Sequence, residues 1–172
     1  MLFTLCGPVL SQELSTDEIV KALLPLPPGK TLHVGKRVPD PDPANPAKAV
    51  DDLRDEAGSL ASVQVQVVFG YDSADLTKDT RESLNMLIRA LQDERLLKFS
   101  FIVGGYTDSR GNEAYNDSLS LRRAHSVRDY LTSQGGINPN RLIAMGYGER
   151  ILADPDHPEA EKNRRVLVIN QF

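Results

Sequence analysis

Tryptophan is absent from this chain of 172 residues, cysteine occurs once, and aromatic side chains make up only 6%. A single thiol, Cys6, excludes an internal disulfide framework, and the three histidines, His33, His125 and His157, lie too far apart to form a Cys/His cluster of the kind that holds zinc. Each histidine sits among polar or proline-rich neighbours and reads as solvated rather than catalytic. Charge of one sign is lacking too. Twenty Lys and Arg face 24 Asp and Glu for a formal net charge of -4, which argues against a nucleic-acid partner held by phosphate neutralisation. No apolar run approaches the roughly 18 residues of a membrane-spanning helix, so no transmembrane span is expected and the folded part should be soluble. Catalytic signatures are missing as well. There is no Ser/His/Asp order with elbow glycines, no HExxH and no phosphate loop, and the glycine pair Gly104-Gly105 opens GGYTDSRG rather than GxGxxG. Neither an enzyme nor a cofactor is expected.

What is present suffices for a folded domain with an appendage. Hydrophobic residues at 40% and charged residues at 26% exclude a wholly disordered chain, and the length suits one core of ordinary size. Met1 to Leu10 is apolar with Ser11 after it, but no Lys or Arg precedes Lys21. An apolar stretch and a small exit residue fit a secretory signal, whereas the charged start is missing, so export and a retained N-terminus both stay open. Ser15 and Glu18 form a capping box for a short helix through about Leu24, which Pro25 stops. Seven of the 11 prolines lie between Pro25 and Pro46, where they predict a stiff, extended linker. Val50, Leu53, Ala57 and Leu60 then keep the spacing of a further short helix.

From Val63 the pattern tightens. Val63, Val65, Val67 and Phe69 alternate with Gln64 and Gln66, the mark of a half-buried strand. Leu84, Leu87, Ile88 and Leu91 form one helical stripe behind Thr77 as a cap. Phe99, Phe101 and Val103 predict a second strand, residues 112 to 134 a long helix stopped by Gly135-Gly136, and residues 142–147 and 166–169 two more strands. The expected fold is therefore α/β: a two-layer sandwich of β-α-β-α-β-β order with helices packed on one mixed sheet. Three regions follow: an N-terminal segment over 1–24, a proline-rich linker with a short helix over 25–62, and the α/β domain over 63–172. That last region holds 14 basic and 15 acidic residues, a near balance.

The distinctive polar run begins just beyond the second strand, where ligands of open α/β sheets favour binding. Asp108 lies in it. On the following helix Arg122 shares a face with Ser118, Ser126 and Asp129 and reads as solvated, whereas Arg123 falls between Leu119 and Val127 on the apolar side. A buried guanidinium needs a partner, so something acidic should meet it. Two readings stay open: an internal ion pair with Asp108 or another carboxylate, or a split site in which Asp108 takes an ammonium and Arg123 forks onto a carboxylate of one zwitterionic ligand. Eleven helical residues from Asn112 to Arg123 span roughly 16 Å, so the second reading requires the side chain to reach back or the loop to fold over.

The run GYTDSRGNEAYNDSLSLRRAHSVRDYL, with GINPNRL, GYGE, NRRV and the opening VVFGYDSADL, resembles the OmpA-like C-terminal domain, a peptidoglycan-binding module of Gram-negative envelopes. The resemblance covers about residues 63 to 172. It implies non-catalytic binding of the diaminopimelate of the stem peptide, tethering the outer membrane or an envelope complex to the cell wall, at a periplasmic location associated with the outer membrane. Peptidoglycan is then the partner, with other envelope proteins as further ones. The alternative is a protein-protein interaction module of an envelope assembly that does not bind peptidoglycan. Residue by residue, Asp108 resembles the acid that meets the ligand's ammonium and Arg123 the partner of its carboxylate. Asn116 and Thr107 resemble flanking site residues, and Arg164 of NRRV a further contributor. Tyr106 stands where many members have histidine, and the loop from Glu149 to Lys162 departs from the family's usual proline position.

Overall fold

The computed structural model describes residues 9–10, 15–25, 62–65, 67, 69 and 73–171. The proline-rich linker beyond Pro25 and the helix expected around Val50 to Leu60 lie outside the described residues. Five strands form one mixed sheet: β1 (Val9–Leu10), β2 (Ser62–Val65), β3 (Ser100–Gly105), β4 (Leu142–Gly146) and β5 (Val166–Gln171), in the order β1-β2-β5-β3-β4. β2 and β3 both run antiparallel to β5, while β3 and β4 are parallel and joined by a helical crossover. Three helices accompany them: α1 (Thr16–Leu23), α2 (Lys78–Leu91) and α3 (Glu113–Ser133). From β2 onward the order is β-α-β-α-β-β, and helices pack on a mixed sheet as the sequence predicts.

Local chemistry places the helix ends. Ser15 and Glu18 form the full capping box of α1, with Ser15 N–H donating to Glu18 Oε2 at 2.7 Å. Thr77 caps α2 by accepting from Thr80 N–H at 3.3 Å, and Asn112 caps α3 by accepting from Tyr115 N–H at 2.8 Å. The chain leaves α3 through Gln134 toward Gly136, whose φ is 61°. At the far end of α2, one side chain closes the turn that follows. Arg141 donates to the carbonyls of Leu91, Leu96 and Phe99 at 3.1, 2.8 and 2.9 Å, satisfying backbone acceptors that a helix terminus leaves open.

The main core lies between sheet and helices and contains the predicted stripe Leu84, Leu87, Ile88 and Leu91. Two features differ from the sequence reading. Regular pairing in β2 ends at Val65, and Phe69 makes an isolated bridge to Leu76 instead of prolonging the strand. The other sheet face is not simply solvated either. Gln64 is buried, and Ile102, Tyr106, Met145, Tyr147 and Ile169 form a second apolar cluster.

α1 shares the main core. Ile19, Val20 and Leu23 are fully buried within it, and Asn170 of β5 donates from Nδ2 to the Leu23 carbonyl at 2.7 Å. Arg95 beyond α2 bonds Asp17 at 2.9 Å. The helix that the sequence reading sets apart with the N-terminal segment thus packs as part of the α/β core.

Candidate functional site

Two close approaches bring the site together. Gly105 and Gly146 end β3 and β4 and are register partners. A Cβ on Gly105 would lie 2.2 Å from the Ser120 carbonyl oxygen, and one on Gly146 would lie 2.6 Å from the Leu121 nitrogen. Only glycine lets the α3 backbone rest directly on the strand ends. Ser120 then accepts from Gly148 N–H at 3.0 Å, while the Gly148 carbonyl accepts from Thr107 N–H at 2.8 Å. Asp108 emerges from β3 beside the first three turns of α3. The loop also folds over that helix. Asn116 donates from Nδ2 to the Arg110 carbonyl at 3.0 Å and to Glu149 Oε2 at 2.5 Å.

A cleft of about 490 Å³ opens there, and Thr107, Asp108, Asn116, Arg123 and Arg164 all line it. The five residues singled out in the sequence therefore converge on one surface. Phe69, Leu119 and Tyr115 add apolar and aromatic wall, and Arg110 adds a third guanidinium. Arg122 points away and is exposed, as its neighbours on the helix predict.

Asp108 is 6% exposed and fully engaged. Arg164 donates to its Oδ2 at 2.8 Å, and Arg110 donates to the same oxygen at 2.7 and 3.2 Å and from its backbone N–H to Oδ1 at 3.2 Å. Burial pushes the carboxyl's pKa upward, but the hydrogen bonds from Arg110 and Arg164 outweigh it and hold the group below the ordinary aspartate value.

Arg123 differs from expectation. Among the described residues it makes no carboxylate pair: Nε donates to the Ser73 carbonyl at 3.2 Å, and the guanidinium lies 4.7 Å from the Phe69 ring centroid. Burial, reinforced by the nearby Arg164 charge, lowers its pKa from the ordinary arginine value. The internal ion pair to Asp108 is thus not formed. Thr107 contributes a second unspent group, a buried hydroxyl without a hydrogen-bond partner among the described residues. Among the described lining residues three guanidiniums face one carboxylate, a balance that favours carboxylate ligands, with Asp108 as the complementary anion.

The NRRV run divides its labour. Asn163 is fully buried and ties down the preceding loop, accepting from Asp154 N–H at 2.8 Å and donating to the His157 and Pro158 carbonyls at 3.0 and 2.9 Å. Pro158 in turn accepts from Ser109 N–H at 3.1 Å, so the loop supports the Asp108 turn. Arg164 bridges to Asp108, and Arg165 lies 4.1 Å from the Tyr106 ring centroid, itself stacked on Tyr147. Arg110, Glu149 and Asn163 all stand inside motifs visible in the sequence. Arg110 follows Asp108 by two residues in a tight turn, a placement that already favours contact with its carboxylate. Nothing local reveals the reach of Glu149 or Asn163.

The OmpA family model matches residues 68–165, more than half of the chain, and spans every element that builds this cleft. The chain belongs to the OmpA family. Outer membrane porin F of Pseudomonas aeruginosa is 34% identical over 131 residues, covering 74% of this chain and 37% of that protein. Outer membrane protein A of Escherichia fergusonii is 39% identical over 107 residues, covering 62% of this chain and 44% of its own length. The chain thus spans less than half the length of these relatives. Among solved structures, the OmpA-like domain of FopA1 from Francisella tularensis superposes with a TM-score of 0.54 at 26% identity, over 60% of this chain and 68% of that one. The peptidoglycan-associated lipoprotein from Burkholderia pseudomallei gives 0.51 at 26% identity, over 61% and 88%. Among the described residues no helix is long and apolar enough to cross a membrane, and no cluster of metal-ligating side chains occurs.

Proposed function

We propose that this chain binds peptidoglycan noncovalently through the diaminopimelate of the stem peptide, and so tethers the outer membrane or an envelope complex to the cell wall from the periplasmic side. The observation that carries the reading is the pairing within one cleft of a buried carboxylate, Asp108, with a buried guanidinium, Arg123, that has no carboxylate partner among the described residues. A free amino-acid end offers the complement of both: an ammonium for Asp108 and a carboxylate for Arg123. The unpartnered Thr107 hydroxyl and the Asn116 amide border the same space. Membership of the OmpA family and likeness to a peptidoglycan-associated lipoprotein support the assignment.

Diaminopimelate is favoured over lysine on chemical grounds. Lysine lacks the second carboxylate, and its binding leaves Arg123 buried without an anion, the costly side of a missing hydrogen bond. The reaction is binding alone, and the cleft needs no bond to form or break.

Co-sedimentation with purified sacculi tests the proposal. Asp108→Ala and Arg123→Ala are expected to stay in the supernatant while the parent chain pellets. Variants that pellet as well as the parent would place the binding surface elsewhere. Competition by free meso-diaminopimelate, but not by Nα-acetyl-lysine amide, which offers only the side-chain ammonium as stem-peptide lysine does, is expected to release the bound chain.

A further inference from the structure

The seat for the ligand's ammonium is already taken. Asp108 Oδ2 receives Arg110 and Arg164 together, at 2.7 and 2.8 Å. A cation arriving at this carboxylate therefore meets an occupant, and the two arginines are not equally free to leave. Arg164 follows the Asn163-anchored loop two residues before β5, its side chain is 33% exposed, and it has a second anion, Glu161, at 3.5 Å. Arg110 is 58% exposed and sits on the surface turn. Among the described residues Asp108 is its one ion-pair partner. Letting go returns the Arg110 guanidinium to water, where an arginine is well solvated, with the Glu159 charge still nearby.

We infer that Arg110 is an internal competitor that sets specificity: its guanidinium holds the ammonium seat in the free protein and yields to a ligand that brings an ammonium and a carboxylate together. The selectivity follows from charge balance. A simple amine that replaces Arg110 exchanges one cation for another and gains little. A dicarboxylate without an ammonium leaves Arg110 in place and meets all three guanidiniums. An amino-acid end compensates for the displaced pair through its contact with Arg123 while refilling the seat on Asp108. This inference rests on the proposed reading of the cleft as a seat for a zwitterionic amino-acid end.

Calorimetric titration of the full chain with meso-diaminopimelate and with pimelate, the same carbon chain without ammonium groups, separates the possibilities. Removing an occupant that holds the seat most of the time raises apparent affinity by the inverse of the free fraction, so Arg110→Ala is expected to bind meso-diaminopimelate about fivefold more tightly. The same variant is expected to bind pimelate more weakly than the parent, because a guanidinium has been lost. Opposite signs for the two ligands cannot arise from a general loss of folding. In parallel, the Nε–H resonance of Arg110 in nitrogen-15 spectra is expected to shift to its solvent-exposed position on saturation with meso-diaminopimelate and to stay put with pimelate. If the parent binds meso-diaminopimelate and Arg110→Ala binds it equally or less well, the displacement is refuted while the site reading stands. If the parent binds no meso-diaminopimelate, the site reading falls and the competitor role falls with it.

Discussion

Arg123 on α3 is held by the backbone carbonyl of Ser73, 50 residues earlier in the chain, rather than by an acidic side chain. A neutral carbonyl and the face of Phe69 orient the guanidinium without neutralising it. Its charge is therefore available to a ligand. Lysine at this position keeps the charge but loses the planar fork and the Nε donor, so Arg123→Lys is expected to weaken sacculus binding by roughly 10-fold to 100-fold, the worth of a charge-assisted hydrogen bond. The thermal midpoint should move by only a few degrees, because no ion pair among the described residues is broken. Titration with solubilised muropeptides alongside a thermal melt checks both halves, and a large drop in midpoint with unchanged affinity would make Arg123 a structural residue.

The approach of α3 to the sheet depends on Gly105. Its missing side chain would occupy space 2.2 Å from the Ser120 carbonyl, and the obstacle is helix backbone that cannot rotate aside. Gly105→Ala is expected to cost about 3 kcal/mol, toward the upper end for overpacking. Urea unfolding followed by circular dichroism measures it, and an unchanged midpoint would mean that the helix can slide. Since the same contact sets Asn116 and Arg123 against Asp108, ligand affinity should fall together with stability.

Periodicity made the outlines of this fold legible in the sequence, and its limits have physical causes. The stripe Leu84, Leu87, Ile88 and Leu91, and the caps Ser15 and Thr77, are local signals that need no tertiary knowledge, and all of them appear in the structure as read. Arg123 could be assigned to the apolar side by helical spacing alone. What it touches could not, because Ser73 and Phe69 lie some 50 residues away and reach it only through the fold. The requirement for an acidic partner assumed that a buried charge must be paired in the free protein. A cavity wall relaxes that requirement, since solvent in the cleft shares the burden of hydration. Arg110 and Asn163 act on groups within ten residues: the two-residue spacing from Asp108 favours the Arg110 contact, whereas the anchoring of the loop by Asn163 depends on a turn that periodicity does not register.

The role of α1 is a further case in which local sequence defines an element but not its place. Leu23 is fully buried in the core, and its carbonyl accepts from Asn170 Nδ2 at 2.7 Å. Leu23→Ala is expected to lower stability by about 2–5 kcal/mol, the usual range for a buried leucine. Lys21, two residues away, is exposed and, among the described residues, pairs along the helix with Asp17, so Lys21→Ala serves as a control expected within about 0.5 kcal/mol. Chemical denaturation of both variants decides the matter; equal, small effects would detach α1 from the cooperative core.

Among the described residues that line the cleft Asp108 is the one carboxylate, and it should govern the pH response. Its folded pKa lies below the ordinary aspartate value of 3.8 because the pairs with Arg110 and Arg164 override the upward pull of burial. A depressed folded pKa means that the carboxylate's contribution to stability is fully present above the unfolded value, near 3.9, and is lost as pH falls through the folded one. Among the described residues the cleft lining contains no histidine, and the adjacent Tyr106 phenol is pushed up by burial, away from neutrality. Between pH 5 and 8, then, neither muropeptide affinity nor the stability difference between the parent and Asp108→Asn is expected to change through these groups. Below about pH 4 both should decline, as protonation removes the anion that holds Arg164 and that the proposed reading pairs with the ligand's ammonium. Unfolding free energies of the two proteins measured from pH 2 to 8 test the linkage: a difference that already shrinks near pH 6 would show that a group other than Asp108 controls the site.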